Sequence, residues 1–555
     1  MAALAGCGHS DSDAPATAVH STGPPEFARQ ILEPAPGIHV ATGYGLANAV
    51  MIRGSGGVVF LDAMESAEAA APVRDAFRAI TTDPVRAILY THNHADHVFG
   101  AKVLAGENAP EIISHASLVP ELQRLASVTR PAIYTRSMRQ FGTLLPQGEH
   151  VDCGIGPRLA AGAGTTSVPL LPTRTFDGKR MEIEIAGIRM ELLHAPGETP
   201  DHMIVWLPEQ RVLFPGDNYY AAFPNLYAIR GTAYRDVMQW VESIDAMRAL
   251  RPAVLVPGHT EPVIGEDEIH RRLTDYRDAI QFVHDQTVRA MNEGLSPEQI
   301  VERVRLPRPL ADKPYLAERY GRVDWSVRGI FAGYLGWFGG NAAELSPMPA
   351  ADRARRMAAL AGGSEAMRKT MTHAHDSGDV RWALELADHL LALGEFIAEA
   401  RTVRAAALRK LAAEETSANG RNYYRTQALE AEEKLAVTAP DLSAMPPELL
   451  DILPVEGFLR AMTVRLDPDK ALSTPTRVGF HFSDIDRDFG ISLRNGIAYF
   501  ETRIPENADM TLTTTSQIWK EILTRKRNAT AAFVKGDVTV DRNRLELAKF
   551  LLLFR

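Results

Sequence analysis

The chain has 555 residues, 45% hydrophobic and 23% charged, with a formal net charge of -9 and two cysteines. That length exceeds a single hydrophobic core, so roughly two to four domains are expected. The acidic balance argues against nucleic acid as a partner, no apolar run is long enough to span a bilayer, and two cysteines cannot build a disulfide framework.

The N-terminal stretch carries Leu4-Ala5-Gly6-Cys7, which resembles a bacterial lipobox, followed by a Ser-, Asp-, Thr- and Pro-rich run from His9 to Pro25 that reads as a flexible tether. The expectation is a lipid anchor at Cys7 and a periplasmic or outer-membrane-associated lipoprotein. An export signal also needs a basic segment and an apolar core ahead of the cysteine. Only six residues precede it here, so a natural start further upstream, or trimming, is expected. Cys153 reads as a structural thiol.

Short β-prone runs separated by Gly-rich turns follow: Gly37–Val40, Ala47–Ile52 and Val58–Asp62. Asp62 reads either as a carboxylate supporting a ligand histidine or as a strand-end turn residue. Ser66–Ile80 has helical amphipathicity. Val85–Tyr90 then reads as a buried strand, and Thr91-His92-Asn93-His94-Ala95-Asp96-His97 sits on the loop at its C-terminal end. Three imidazoles and a carboxylate within six residues converge only if a metal offsets their crowding, and neutral imidazole with carboxylate suits zinc.

This H-x-H-x-D-H run resembles the metallo-β-lactamase superfamily. The resemblance implies an αββα sandwich, with His92 and His94 on one metal and Asp96 and His97 on a second. Further ligands are then expected at later strand ends. Residues 110–165 lack strong periodicity and read as an insertion over the site; Arg130, Tyr134, Arg136 and Arg139 lie there and would suit an anionic substrate.

Residues 181–194 alternate as a hairpin and lead into Ala195-Pro196-Gly197-Glu198-Thr199-Pro200-Asp201-His202. In the superfamily this loop reads P-G-H-T. Glu198 stands in the place of its histidine, and carboxylate oxygen is an acceptable zinc ligand. Val212–Phe214 ends at Gly216-Asp217, where the superfamily places its bridging carboxylate, and Val254–Pro257 ends at His259. The implied ligand set is His92, His94, Glu198 and bridging Asp217 for one metal, with Asp96, His97 and His259 for the other. Two Zn2+ per chain are expected, and Asp96 and Asp217 are read as the catalytic carboxylates.

Later segments resemble the alkyl sulfatase branch of the superfamily. Phe223-Pro224-Asn225-Leu226-Tyr227-Ala228-Ile229-Arg230-Gly231 is similar to its H-N-L-Y-T-L-R-G segment. Val323–Phe331, Gly333–Phe338, Trp382–Leu391 and Ser417–Tyr424 are similar to its helical dimerisation domain. The residues alone say the same of the secondary structure, because Ala383, Leu386, Ala387, Leu390 and Leu391 recur on one helix face and Ala400–Leu411 gives another after Gly394. Trp325 and Trp337 read as core or interface anchors. After Pro446-Pro447 the pattern alternates as strands, with a hairpin turn at Asn495-Gly496. It resembles a sterol-carrier-like α+β domain, whose groove would suit alkyl chains.

The organisation read from the chain is multidomain α/β: residues 1–30 a leader and tether, 31–285 a metallo-β-lactamase sandwich, 286–440 an all-α dimerisation domain, and 441–555 an α+β sterol-carrier-like domain. The expected activity is metal-assisted hydrolysis of an alkyl or aryl sulfate ester by a metal-activated water, in a homodimer acting on a small anionic ester. Arg230, Asn225, His202 and Tyr219 are the residues expected around the substrate. Three departures stand out: Glu198 lies on a loop one residue shorter than in that branch, Asp217 replaces a glutamate, and Pro224 replaces the histidine that protonates the leaving alcohol. Proline has no proton to give. Either His202 or Tyr219 takes over, or the leaving group is a better one, or the substrate is a β-lactam, lactone or phosphodiester.

Overall fold

A computed structural model describes residues 27–125, 128–162, 164–542 and 544–554. Cys7 and its tether lie outside the described residues. Two sheets face each other in the N-terminal part. The first has seven strands in sequence order, from Gln30–Ala35 through Ile38–Thr42, Ala49–Gly54, Gly57–Leu61, Val85–Leu89 and Glu111–His115 to Arg174–Phe176. Its first four strands form an antiparallel meander, and the later ones add in parallel. The second has six, ordered Val263–Ile264, Val254–Pro257, Val212–Gly216, Met203–Leu207, Ile188–His194 and Arg180–Ile185.

Residues from both sheets, including Val40, Val59, Leu89, Met190, Val205 and Phe214, make the core between them. The strands that carry this core are apolar along most of their length, as sheets covered on both faces require. The helix Ala67–Arg78, capped by Ser66 Oγ on the Ala69 N–H, covers the first sheet. Val237–Ala249 and the 27-residue helix Glu266–Asn292 cover the second. That long helix runs through the junction expected at 285/286 and buries Ile269, Leu273, Ile280 and Val283 on the sandwich.

Residues 110–165 are more ordered than their weak periodicity suggests. Glu111–His115 is a core strand, too short to show an alternation once both its faces are buried. Leu118–Leu125 and Arg130–Gln140 are helices beside the site. Beyond residue 296 the chain turns helical. Ala350–Leu360, Ser364–Ser377, Val380–Leu393, Ile397–Glu414 and Ala418–Ala431 pack together, each of the last three against the helix before it and the first mainly against Val380–Leu393, which Gly394 ends in the left-handed region. A five-stranded sheet with helices on one side, centred on Phe480, Phe482, Ile491 and Trp519, closes the chain. Among the described residues no helix is long and apolar enough to cross a membrane.

Candidate metal centre

Four strand ends meet at one edge of the sandwich. The Val85–Leu89 strand delivers His92, His94, Asp96 and His97, and the turn after Ile188–His194 delivers Glu198. Val212–Gly216 ends at Asp217 and Val254–Pro257 at His259, held side by side by the Gly216–Pro257 pairing. The Met203 N–H donates to the Thr91 carbonyl at 2.8 Å, stitching the two sheets at this edge. Gly258 leaves the room required: a Cβ there would stand 2.6 Å from Asp217 Oδ1.

The ligand atoms of His92, His94, Glu198 and Asp217 lie within 4.8 Å of one another, as do those of Asp96, His97 and His259. His92 Nε2 is 3.6 Å from Glu198 Oε2 and 3.7 Å from Asp217 Oδ2, and His94 Nδ1 is 3.1 Å from Glu198 Oε2. His97 Nε2 is 3.4 Å from Asp217 Oδ1 and 3.6 Å from Asp96 Oδ2; His259 Nε2 is 3.1 Å from Asp217 Oδ2. Asp217 thus faces both groups. Metal–ligand arms of about 2.0–2.2 Å at tetrahedral angles put neighbouring donors about 3.3–3.6 Å apart, so these spacings match.

The hydrogen bonds behind the site fix its tautomers. His97 Nδ1 donates to Asp62 Oδ2 at 2.7 Å, and His259 Nδ1 to the Leu46 carbonyl at 2.8 Å. His92 Nδ1 is 3.0 Å from Thr91 Oγ1, whose own proton goes to Asp62 Oδ2 at 2.9 Å. Each ring therefore carries its proton on Nδ1 and presents a bare Nε2 inward. His97 Nε2, Glu198 Oε2 and Asp217 Oδ1 are buried without any hydrogen-bond partner. Buried polar atoms are otherwise almost always paired, and converging orphans of this kind fit cations. Two metal ions thus fit the residues present.

Charge in the site is balanced by burial and neighbours. Burial lowers His92 and His94 well below the usual imidazole range, keeping them neutral. Burial pushes Glu198 up to about 7 against the pull of Arg235, whose Nη1 sits 2.7 Å from Glu198 Oε1. Burial would also raise Asp217, but without metal the protonated imidazoles of His259 and His97 hold it well below the ordinary carboxylate range.

The residues expected around the substrate divide. Arg230 Nη2 lies 3.0 Å from His94 Nε2, at the junction of two cavities of about 610 and 480 Å3. His202 is fully buried; its Nε2 accepts the Asp217 N–H at 3.0 Å and its ring stacks on His92, so it braces the ligands and lines neither cavity. Tyr219 is buried against Tyr276 and lines neither cavity, and Asn225 is likewise sealed at 1% exposure. Both belong to apolar or turn surroundings that their place near Asp217 and Arg230 in the sequence did not reveal. Of the basic residues in the insertion, Arg136 donates to the Ile229 and Arg230 carbonyls and Arg139 pairs with Glu430 on the helical part. Arg130 and Tyr134 line the smaller cavity.

Sequence reasoning missed Arg235, Glu65 and Tyr320. Arg235 has no motif around it beyond its place five residues after Arg230. Glu65 is fully buried, accepting from the Leu46 and Ala160 N–H groups, with burial raising it to about 7. Tyr320 arrives from the start of the helical part, far along the chain. The smaller cavity has a mostly apolar wall, with Phe99, Leu122, Ile133, Met138, Phe141 and Leu449 among its residues. Among the described residues nothing beyond Leu449 lines either cavity, so the described C-terminal sheet contributes no groove to the site.

Comparison with known proteins agrees with this geometry. Residues 42–259 match the metallo-β-lactamase superfamily model, 296–434 the alkyl sulfatase dimerisation model and 443–555 the alkyl sulfatase C-terminal model. A linear primary-alkylsulfatase of Pseudomonas sp. is 35% identical, over 91% of this chain and 98% of its own. An alkyl/aryl-sulfatase of Saccharomyces cerevisiae is 28% identical, over 93% of this chain and 81% of its own. The solved structure of a stereoselective inverting sec-alkylsulfatase from Pseudomonas sp. superposes with a TM-score of 0.88 at 28% identity, covering 95% of this chain and 84% of that one. The chain is a member of the alkyl sulfatase family within the metallo-β-lactamase superfamily.

Proposed function

We propose that the protein is a metal-dependent sulfuric ester hydrolase that splits alkyl sulfates into alcohol and inorganic sulfate. One observation carries the reading: a cluster of seven ligand side chains opens, past Arg230, into a cavity of about 480 Å3 with a mostly apolar wall. The anionic head fits beside the Arg230 guanidinium, which only donates and is always charged. The tail fits among Met138, Phe141 and Leu449. Each methylene that leaves water there contributes about 0.8 kcal/mol.

The donor set is nitrogen and oxygen without sulfur, in two groups, which supports two zinc ions held by His92, His94, Glu198 and Asp217 and by Asp96, His97 and His259. When bound, such a pair supplies Lewis acidity and lowers the pKa of water. The protein's own groups do the rest. Asp62, Thr91 and the Leu46 carbonyl orient the imidazoles, Arg235 steadies Glu198, and Arg136 fixes the loop that aims Arg230.

A homodimer is part of the proposal. The dimerisation model covers 296–434, and Tyr334, Leu335 and Trp337 stand exposed at the end of the helix Val323–Leu335, Trp337 at 74%. Aromatic anchors of this kind are what interfaces bury. The Leu4–Cys7 motif supports export and lipid attachment at Cys7, which mass spectrometry of membrane-fraction protein would test.

The activity test is sulfate release from dodecyl sulfate, run beside a cephalosporin, a lactone and a phosphodiester. Release from the sulfate ester alone supports the reading. Turnover of one of the others with no sulfate released overturns it.

A further inference from the structure

Splitting an alkyl sulfate at sulfur expels an alkoxide, about as basic as hydroxide, whose parent water has a pKa of about 15.7. Such a group leaves only if a proton reaches it. Position 224, beside the site, is a proline and has none to give. His202 is sealed: its Nε2 already accepts the Asp217 N–H, its one proton sits on a buried Nδ1, and it lines neither cavity. Tyr219 is sealed as well.

Of the hydroxyl-bearing residues that line the smaller cavity, Tyr134, Ser137, Thr165, Ser167 and Tyr320, it is Tyr320 that the fold holds beside Pro224. The backbone of 317–321 is clamped onto 223–224: the Phe223 N–H donates to the Ala317 carbonyl at 2.9 Å, and the Gly321 N–H to the Phe223 carbonyl at 3.1 Å. Gly321 packs so tightly there that a Cβ would stand 2.1 Å from the Pro224 carbonyl oxygen. Tyr320 is thereby delivered next to Pro224 and lines the smaller cavity together with Asp217, His259 and Arg230. Its ring stands edge-on to Tyr220 at 5.6 Å, and its carbonyl accepts from Ser417 Oγ at 2.7 Å and Asn419 Nδ2 at 3.1 Å. Backbone and ring are thus held from three sides. The hydroxyl itself makes no hydrogen bond among the described residues.

We propose that Tyr320 is the catalytic proton donor to the departing alkyl oxygen. The inference rests on the sulfatase reading above. Water oxygen bonds to sulfur as the sulfur–alkoxy bond breaks, and the electron pair of that bond stays on the alkyl oxygen. That oxygen takes the Tyr320 phenolic proton and leaves as alcohol. One proton of the attacking water restores the phenol. The other stays on hydrogen sulfate, which releases it to solvent as sulfate forms. Burial, with the Glu198 carboxylate nearby, raises the phenol above its usual value despite Arg230, so it still holds its proton at neutral pH when alkoxide charge develops.

The test is Tyr320→Phe, which keeps the ring against Tyr220. Loss of the proton donor should cut kcat on dodecyl sulfate by about 10²–10⁴-fold and leave KM alone. 4-Nitrophenyl sulfate, whose leaving group needs no proton, should be turned over at close to the wild-type rate. Zinc content and calorimetric binding of unreactive dodecane-1-sulfonate should stay at wild-type values, and in ¹⁸O-water the label should enter sulfate. An equal loss on both esters, no loss on either, or label in the alcohol would overturn the assignment while leaving the sulfatase reading intact. Wild-type protein inert on both esters would instead remove the sulfatase reading, and the assignment with it.

Discussion

Asp62 Oδ2 lies 2.7 Å from Nδ1 of His97, and the same carboxylate accepts from the Thr91 N–H and Oγ1 at 2.8 and 2.9 Å. One side chain therefore sets the tautomer of His97 directly and that of His92 through Thr91. Asp62 adopts a left-handed φ of 57°, which asparagine tolerates nearly as well. Asp62→Asn should fold normally, yet an amide N–H opposed to the His97 Nδ1–H weakens the ligand. Zinc affinity should fall about 10–100-fold, measured by competition with a chromogenic chelator. Unchanged affinity would show that Asp62 is only a turn residue.

Arg235 and Glu198 form a buried pair, 4% and 3% exposed at their side chains. Removing the cation leaves a buried carboxylate unpaired. Arg235→Met should destabilise the metal-free protein by about 3–5 kcal/mol, read from urea unfolding. Adding Glu198→Gln should recover part of that loss, because the stranded charge is gone. Additive losses would show that the two side chains do not interact.

Chain-length preference should follow the smaller cavity. Ala161 is half-buried in its wall, and Ala161→Phe puts a ring into the space the tail would fill. Displacing about four methylenes costs about 3 kcal/mol. Thus kcat/KM for dodecyl sulfate should drop about 100-fold while a butyl ester is nearly unaffected. A parallel drop for both lengths would place the tail elsewhere.

The sequence was legible where chemistry is local and blind where it is assembled. His92, His94, Asp96 and His97 sit on one loop, so their spacing alone announced the centre. Glu198, Asp217 and His259 were picked out by the resemblance of their loops, each following an apolar strand, to those of the superfamily. Tyr219 and Asn225 were expected at the substrate from nearness in sequence to Asp217 and Arg230, which does not say which way a turn points; both are buried and line neither cavity. Arg235 was invisible because it meets Glu198 and the Asn225 carbonyl only once the sandwich has folded, and Tyr320 because packing of the helical part on the sandwich brings it in. The strand Glu111–His115 went unread for a similar reason: buried on both faces, it has no alternation to show.

Glu65 ties stability to pH. Its carboxyl is raised from 4.5 to about 7, first by burial and with a further contribution from Asp96. Below pH 4.5 both folded and unfolded states hold the proton. As pH rises to 7 the unfolded chain releases it first, so stability is lost across that window. At about 1.36 kcal/mol per unit the loss is about 3 kcal/mol. Glu65→Gln in metal-free protein should lack this slope and be the more stable form above pH 7. Parallel stability–pH curves for the two proteins would contradict the assignment.

The most direct measurement titrates zinc into chelator-stripped protein while sulfate release from dodecyl sulfate is followed. No release is expected without metal, and activity should rise until two equivalents per chain are bound and then level. Full activity in the stripped protein, or saturation with zinc and no sulfate released, would contradict the metal-dependent sulfatase reading.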